Sequence, residues 1–281
     1  MTSRSDNGLD QAELKDARRR SSPRAAIVYE AIRSEGEEEL ERNAAALVWS
    51  GLAAGLSMGF SFLMEALLAL HLPETDWTPL VVKFGYCIGF IIVILGRQQL
   101  FTENTLTPVL QLLHRKNRRT LGRVGRLWGI VLCANLAGAA LFALLMTAMS
   151  VHQSELRGEL TQIAMKVVGG HFWPTLLSGL FAGWLIALMV WLLPVAESGR
   201  VTIIILVTYV VGLGGFAHII AGSVSTFYLW MAGGTTFTEL VGRFFIPTLI
   251  GNIVGGVAFV AAINYAQVNP PGNDKNVDIP V

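Results

Sequence analysis

The chain has 281 residues, of which 53% are hydrophobic and 15% are charged, whereas soluble domains average about 25% charged residues. The 21 lysines and arginines nearly balance the 20 aspartates and glutamates, which leaves a formal net charge of +1. This composition argues against a soluble enzyme, and the charge balance argues against a nucleic-acid or strongly acidic partner.

The N-terminal 43 residues form a polar segment that precedes the apolar part of the chain. It lacks the apolar core of a cleavable signal peptide, so we expect residues 1–43 to form a cytoplasmic tail. Residues 25–43 have a helical composition and contain the acidic run Glu37–Glu39, which predicts a surface helix. At the other end, residues 268–281 are expected to form a second cytoplasmic tail.

The region from residue 44 to residue 267 is predicted to be a membrane domain. A helical crossing needs about 20 apolar residues, and six segments supply them once one irregular segment is counted. The predicted crossings are residues 44–70, 84–113, 122–149, 172–194, 201–232 and 244–266. Lys and Arg concentrate on one side of this arrangement, so the positive-inside rule places both termini in the cytoplasm.

The second predicted crossing is irregular because it contains Arg97, Glu103 and Pro108. Charges are costly in mid-membrane, and proline lacks a backbone N–H donor. A helix interrupted between two half-helices accommodates all three residues. Arg97 and Glu103 flank the interruption, and they are a candidate ion pair that fixes the loop, with substrate binding as the alternative.

A second irregular segment lies in the fifth predicted crossing. It is the run Gly212-Leu213-Gly214-Gly215-Phe216-Ala217-His218, whose glycines and buried histidine predict another interrupted helix. Two such breaks in one membrane domain indicate a pore.

The two halves of the membrane domain also resemble each other. Ser50-Gly51 is echoed by Ser178-Gly179, and the surroundings of Asn135 are echoed around Asn252 at an offset of 117 residues. At that offset Phe101 corresponds to His218. We therefore predict two inverted three-helix repeats, a recurrent transporter plan, with the similar composition of glycine-rich helices as the alternative explanation.

Two motifs carry a resemblance to a known family: Gly96-Arg97-Gln98-Gln99-Leu100-Phe101-Thr102 and Gly215-Phe216-Ala217-His218. Together they resemble the formate/nitrite transporter family, over roughly residues 40–267. The resemblance implies an all-α, aquaporin-like fold with broken second and fifth helices. It also implies a homopentamer with one pore in each protomer, a location in the bacterial inner membrane, and no cofactor.

The same resemblance implies the residues that line the pore. Leu100 and Phe101 would form the cytoplasmic constriction, and Thr102 would hydrogen-bond the substrate or His218. A capping role for Thr102 at a broken helix end is the alternative. The remaining candidates match family positions that narrow the pore or line its vestibule, and these are Tyr86, Phe90, Val211 and Lys166.

Several positions depart from the family pattern. Gln99 replaces the acidic residue that usually precedes Leu-Phe-Thr, and Glu103 replaces the small residue after it. His218 lacks its usual polar neighbours, because Ala217 precedes it and Ile219 follows it. These departures leave the identity of the transported anion open.

The predicted function is passage of a small monovalent anion or its conjugate weak acid. An anion in an apolar constriction is costly unless it is protonated, and the pKa of histidine lies closest to physiological pH. We therefore expect pH-dependent flux past His218. The alternatives are a passive channel for a small neutral solute and a membrane scaffold with a degenerate pore. The five histidines have no metal-ligand spacing, and no catalytic motif indicates an enzyme.

Overall fold

The computed structural model describes Glu13 and residues 24–196 and 198–269, and the regular secondary structure of this part of the chain is all helical. Predictions that concern residues 1–12, 14–23 and 270–281 therefore lie outside the described residues. The helices in chain order are α1 (Ala25–Glu41), α2 (Ala44–His71), α3 (Thr78–Val82), α4 (Phe84–Leu95), α5 (Thr107–Arg115), α6 (Arg118–Ser150), α7 (Ser154–Val168), α8 (Phe172–Leu192), α9 (Arg200–Leu213), α10 (Ile219–Met231) and α11 (Phe237–Val268).

Five helical stretches in the described chain are long and apolar enough to cross a membrane. They are α2, α3 with α4, α6, α8 with the 3₁₀ turn that follows it, and α11, which contains two π-helical segments. Helices α9 and α10 have 14 and 13 residues, so each is shorter than one crossing. The all-α membrane fold is therefore confirmed.

Both predicted interruptions occur where the sequence placed them. Helix α4 ends at Leu95, and Arg97 adopts a left-handed conformation with φ of 53°. Pro108 lies in the first turn of α5, where its missing N–H costs no intrahelical hydrogen bond. Helix α9 ends at Leu213, and Gly215 has a φ of 61° that favours glycine.

Glycines let two pairs of long helices approach closely. A methyl group at Gly55 of α2 would overlap the carbonyl oxygen of Asn135 in α6. In the other half, a methyl group at Gly183 of α8 would overlap the carbonyl oxygen of Asn252 in α11. Close backbone packing of this kind is typical of helix pairs in membranes.

The predicted surface helix is present as α1, but one face of it is buried. Val28, Ile32 and Leu40 are among its buried residues, and the helix packs on α5. The rings of Tyr29 in α1 and Tyr265 in α11 lie 6.2 Å apart. The two ends of the described chain therefore lie on the same side of the helix bundle.

Helix α7 was absent from the sequence prediction. Its buried residues Leu156, Leu160, Ala164 and Val168 recur every four positions, which is the spacing of one helix face. This face packs against α10 and α2.

Candidate functional site

The two interrupted helices meet at Thr102 and His218. The Oγ1 atom of Thr102 lies 2.8 Å from Nε2 of His218, within hydrogen-bonding distance. Both side chains are buried, with 0% and 1% of their surface exposed. The structure therefore joins the two motifs at one point, although they lie 116 residues apart in the chain.

His218 also forms the N-cap of α10, because its Nδ1 accepts a hydrogen bond of 3.2 Å from the Ala221 backbone N–H. The neutral ring consequently carries its proton on Nε2 and donates it to Thr102 Oγ1. The hydroxyl hydrogen of Thr102 is therefore not used in its contact with His218. Thr102 makes no side-chain cap contact with the 3₁₀ turn that follows it, so the capping alternative for this residue is wrong.

Two asparagines hold the interruptions in place. Asn135 accepts a hydrogen bond from the Phe101 N–H at 2.9 Å and donates to the Gly51 and Gln99 carbonyls at 2.8 and 2.9 Å. These bonds satisfy backbone groups that lipid cannot.

Asn252 does the same for the second interruption. It accepts from the Ile219 N–H at 2.9 Å and donates to the Gly179 and Ala217 carbonyls, both at 2.8 Å. These contacts match those of Asn135 one for one and are what the predicted repeat would produce. They pair Phe101 with Ile219, at an offset of 118 residues, so the predicted pairing of Phe101 with His218 is wrong by one residue.

An apolar layer lies beside the Thr102–His218 contact. Phe90, Leu100 and Phe101 are each at most 1% exposed. The Phe90 ring centroid lies 5.0 Å from that of His218, and the Phe101 ring meets Trp128 edge-on at 5.8 Å. Trp128 donates a 2.8 Å hydrogen bond to the Asn104 carbonyl. By its sequence position Trp128 is one of several tryptophans expected near membrane interfaces, whereas in the structure it supports Phe101.

One cavity of about 630 Å³ reaches His218 from the side opposite α1, and we call it the distal vestibule. Three of the predicted site residues line it together with His218, and these are Tyr86, Val211 and Lys166. Phe216 lines it as well. Its charged lining residues are Glu65, Glu74, Lys83, Glu159 and Lys166.

A second cavity, of about 400 Å³, lies beside α1, and we call it the proximal vestibule. Gln99 and Glu103 reach it from the first interruption, and Glu39 reaches it from α1. Phe90, Leu100, Phe101 and Thr102 line neither vestibule. His218, which Thr102 contacts, lines the distal vestibule, and Gln99 and Glu103, which flank Leu100–Thr102, line the proximal one, so we place this layer between the two cavities.

The predicted ion pair between Arg97 and Glu103 is not formed. Arg97 instead pairs with Glu35 of α1, with Nη1 and Oε1 3.0 Å apart, and its side chain is 73% exposed. The left-handed turn at Arg97 lies at the surface, where a guanidinium stays hydrated while it is paired. Glu103 lines the proximal vestibule without this partner.

Glu39 connects α1 to the first interruption. Its buried carboxylate accepts a 3.1 Å hydrogen bond from Gln99 Nε2 and another from the Thr107 hydroxyl. Burial raises the pKa of Glu39 to about 7; nearby Glu35 also raises it, and the two hydrogen bonds and Arg42 lower it.

The comparisons with known proteins agree with this geometry. A sequence model described as formate/nitrite transporter matches residues 26–266. The chain belongs to the formate/nitrite transporter family. This membership makes it a membrane transporter or channel rather than an enzyme.

Two relatives illustrate the range of similarity within the formate/nitrite transporter family. The chain is 40% identical over 252 residues to the inner membrane protein YfdC of Escherichia coli K12, an alignment that covers 90% of this chain and 81% of the relative. It is 25% identical to the formate channel BtFdhC of Bacillus thuringiensis, with coverage of 86% and 93%.

Solved structures show the same fold. A pentameric formate channel with formate bound matches with a TM-score of 0.68 and 21% identity, covering 80% of this chain and 97% of the other. A channel described as an FNT family ion channel matches with a TM-score of 0.76 and 17% identity, covering 86% and 99%.

Proposed function

We propose that this family member conducts small monovalent anions or their conjugate weak acids between its two vestibules, past Thr102 and His218. The observation that carries the proposal is the 2.8 Å contact between these residues, with a cavity on either side of their layer. The substrate classes named for the relatives, formate among them, fit this path.

The apolar layer explains why protonation matters. A bare anion would lose its hydration beside Leu100 and Phe101, and burying an unpaired charge is costly. A protonated acid carries no net charge and crosses with a much lower barrier.

His218 supplies the proton in this proposal. The ring takes up a proton at Nδ1 when the cap on Ala221 opens, and the Nε2 proton then passes to an oxygen of the anion. The neutral acid moves past Phe101 and releases its proton in the proximal vestibule. The ring is then left as the Nδ1–H tautomer. It loses the Nδ1 proton to water in the distal vestibule and takes up another at Nε2, which restores the cap, so one proton crosses with each anion.

The proposal includes the orientation and assembly of the protein. The α1 side faces the cytoplasm, together with the tails at residues 1–43 and 268–281, and the distal vestibule faces outwards across the bacterial inner membrane. The protein assembles as a homopentamer, like the pentameric formate channel among its structural neighbours. Each protomer carries its own path.

Purified protein in liposomes tests this function directly. Uptake of formate, nitrite, acetate, lactate, hydrosulfide and chloride is measured at pH 5.5 and 7.5 against empty liposomes. We expect at least one weak-acid anion to enter at least tenfold faster than in empty liposomes, and faster at pH 5.5. Swelling in glycerol without anion uptake would instead favour a neutral-solute channel, and absence of all flux would favour a scaffold with a degenerate pore.

A further inference from the structure

An ion pair lies in the distal vestibule, away from the Thr102–His218 contact. Nζ of Lys83, at the start of α4, lies 2.6 Å from Oε1 of Glu65 in α2. The Glu65 side chain is 5% exposed, whereas that of Lys83 is 31% exposed. Both residues line the cavity that reaches His218.

The arrangement leaves Lys83 with unused donors. An ammonium group has three N–H donors, and one is directed to Glu65. Among the described residues, Glu65 is the one hydrogen-bond partner of Nζ, and the exposed part of the side chain faces the cavity. Two donors therefore remain for a ligand in the distal vestibule.

The charges that line the distal vestibule make the Lys83–Glu65 pair important for the entry of an anion. Three carboxylates line it, from Glu65, Glu74 and Glu159, against the two ammonium groups of Lys83 and Lys166. Glu65 is the carboxylate among these that is buried. Without Lys83 its carboxylate would lose the ammonium group that is hydrogen-bonded to it, and Lys166 would be the remaining cation near it in the wall of the cavity.

We propose that Lys83 is a specificity-determining residue for anion entry, held in position by Glu65. Lys83 neutralises the charge of the buried Glu65 carboxylate and offers its two free N–H donors to a small carboxylate-type anion. Because Glu65 keeps the pair neutral, the anion is held loosely enough to move on towards His218. This inference rests on the proposed function for the direction of movement, but the binding step is separate from conduction.

The roles of the two residues predict different effects of their substitution. Lys83→Met exposes the anion to an unpaired Glu65, so we expect the half-saturating formate concentration to rise at least tenfold. Glu65→Gln leaves Lys83 positive, so half-saturation stays equal or falls. The double variant removes both charges and recovers part of the loss, because the repulsion by Glu65 is gone while the donors of Lys83 stay absent. If the pair served only to hold α2 against α4, either single substitution would impair formate uptake to the same extent.

The experiment measures formate uptake into proteoliposomes at pH 7.5 as a function of concentration, for wild type, Lys83→Met, Glu65→Gln and the double variant. Arg243→Gln is the matched control, because it removes one cation of the exposed Arg243–Glu239 pair outside the vestibule lining. Wild-type half-saturation in Lys83→Met, equal damage from both single changes, or no recovery in the double variant would each overturn the proposal.

A second measurement does not depend on transport. Formate binding to the purified protein raises its unfolding temperature if it binds the folded state. We expect this shift in wild type and Glu65→Gln, and its loss in Lys83→Met. Should Lys83→Met fail to assemble, a formate shift in the double variant as large as that in Glu65→Gln would overturn the proposal. Binding that depends on Lys83 in a protein without anion flux would refute the proposed function and leave this inference standing.

Discussion

At the scale of single residues, the Thr102 hydroxyl is the group that the His218 ring contacts. Thr102→Val keeps the shape of the side chain and removes the oxygen that accepts from Nε2, whereas Thr102→Ser keeps the oxygen. We expect Thr102→Val to lower the initial rate of formate uptake at least tenfold and Thr102→Ser to lower it less than threefold. Equal rates for the two variants, at equal protein content of the liposomes, would show that the hydroxyl has no part in passage.

A second prediction at this scale concerns the side chain of Asn252. Asn252→Ala leaves the buried Ile219 N–H and Gly179 carbonyl and the half-buried Ala217 carbonyl without their partner, and each unsatisfied buried group costs about 1–3 kcal/mol. We expect the unfolding temperature of the purified protein to fall by at least about 5 °C. Asn264→Ala on the same helix removes a single hydrogen bond to the Val260 carbonyl, and we expect it to change the unfolding temperature by less than about 2 °C. A similar drop for both would contradict the role given to Asn252.

Two short motifs were enough to predict the residues that meet at the site, and His218 was one of the two partners expected for Thr102, but the correspondence between the two halves was predicted one residue off. Asn135 and Asn252 differ by 117 positions, whereas the backbone amides that they bind differ by 118. The offset read from the helices therefore misplaces the loops by one residue. Trp128 was also missed, because tryptophans near helix ends are common in membrane proteins and carry no signal of a specific partner.

At the scale of elements, the docking of α1 depends on the protonation of Glu39. Its pKa is about 7 in the folded protein, against 4.5 for a free side chain. The folded state therefore binds this proton more tightly, so its stabilising effect is full below pH 4.5 and is lost as the pH rises through 7. We expect backbone amides of α1 to exchange hydrogen faster at pH 8 than at pH 6, after correction for the intrinsic rates.

Glu39→Gln removes this dependence, because the amide of glutamine does not titrate. The matched control is Glu38→Gln, which changes an exposed neighbour on the same helix and should keep the wild-type difference between the two pH values. Persistence of that difference in Glu39→Gln would place its origin in another group.

Interrupted helices left clear signals in the sequence, whereas packed amphipathic helices did not. Charges and a proline marked the first break, and clustered glycines before a histidine marked the second, since an uninterrupted lipid-facing helix avoids them. Helix α7 carries charges and lies next to a long apolar run, which hid its four-residue pattern. The burial of α1 was equally hidden, because its partner α5 lies about 70 residues further along the chain.

At the scale of the whole molecule, two vestibules face a thin apolar layer with a histidine at its edge. The comparisons establish the family and the fold, whereas the identity of the anion depends on the groups that line each cavity. The charged residues among them lie on α1, α2, α7 and α9, in the first interruption and in the segments between helices, so they are spread over the chain from Glu35 to Arg200. For that reason the motifs alone could not determine the substrate.

The most direct test of the central claim, that the substrate acquires its proton at His218, is the pH dependence of formate uptake in proteoliposomes from pH 5 to pH 8. Wild-type protein should show rates that rise as the pH falls, in excess of the rise in empty liposomes. His218→Ala should lose that excess and conduct slowly at every pH. Uptake by His218→Ala that matches wild type over the whole range would contradict the account.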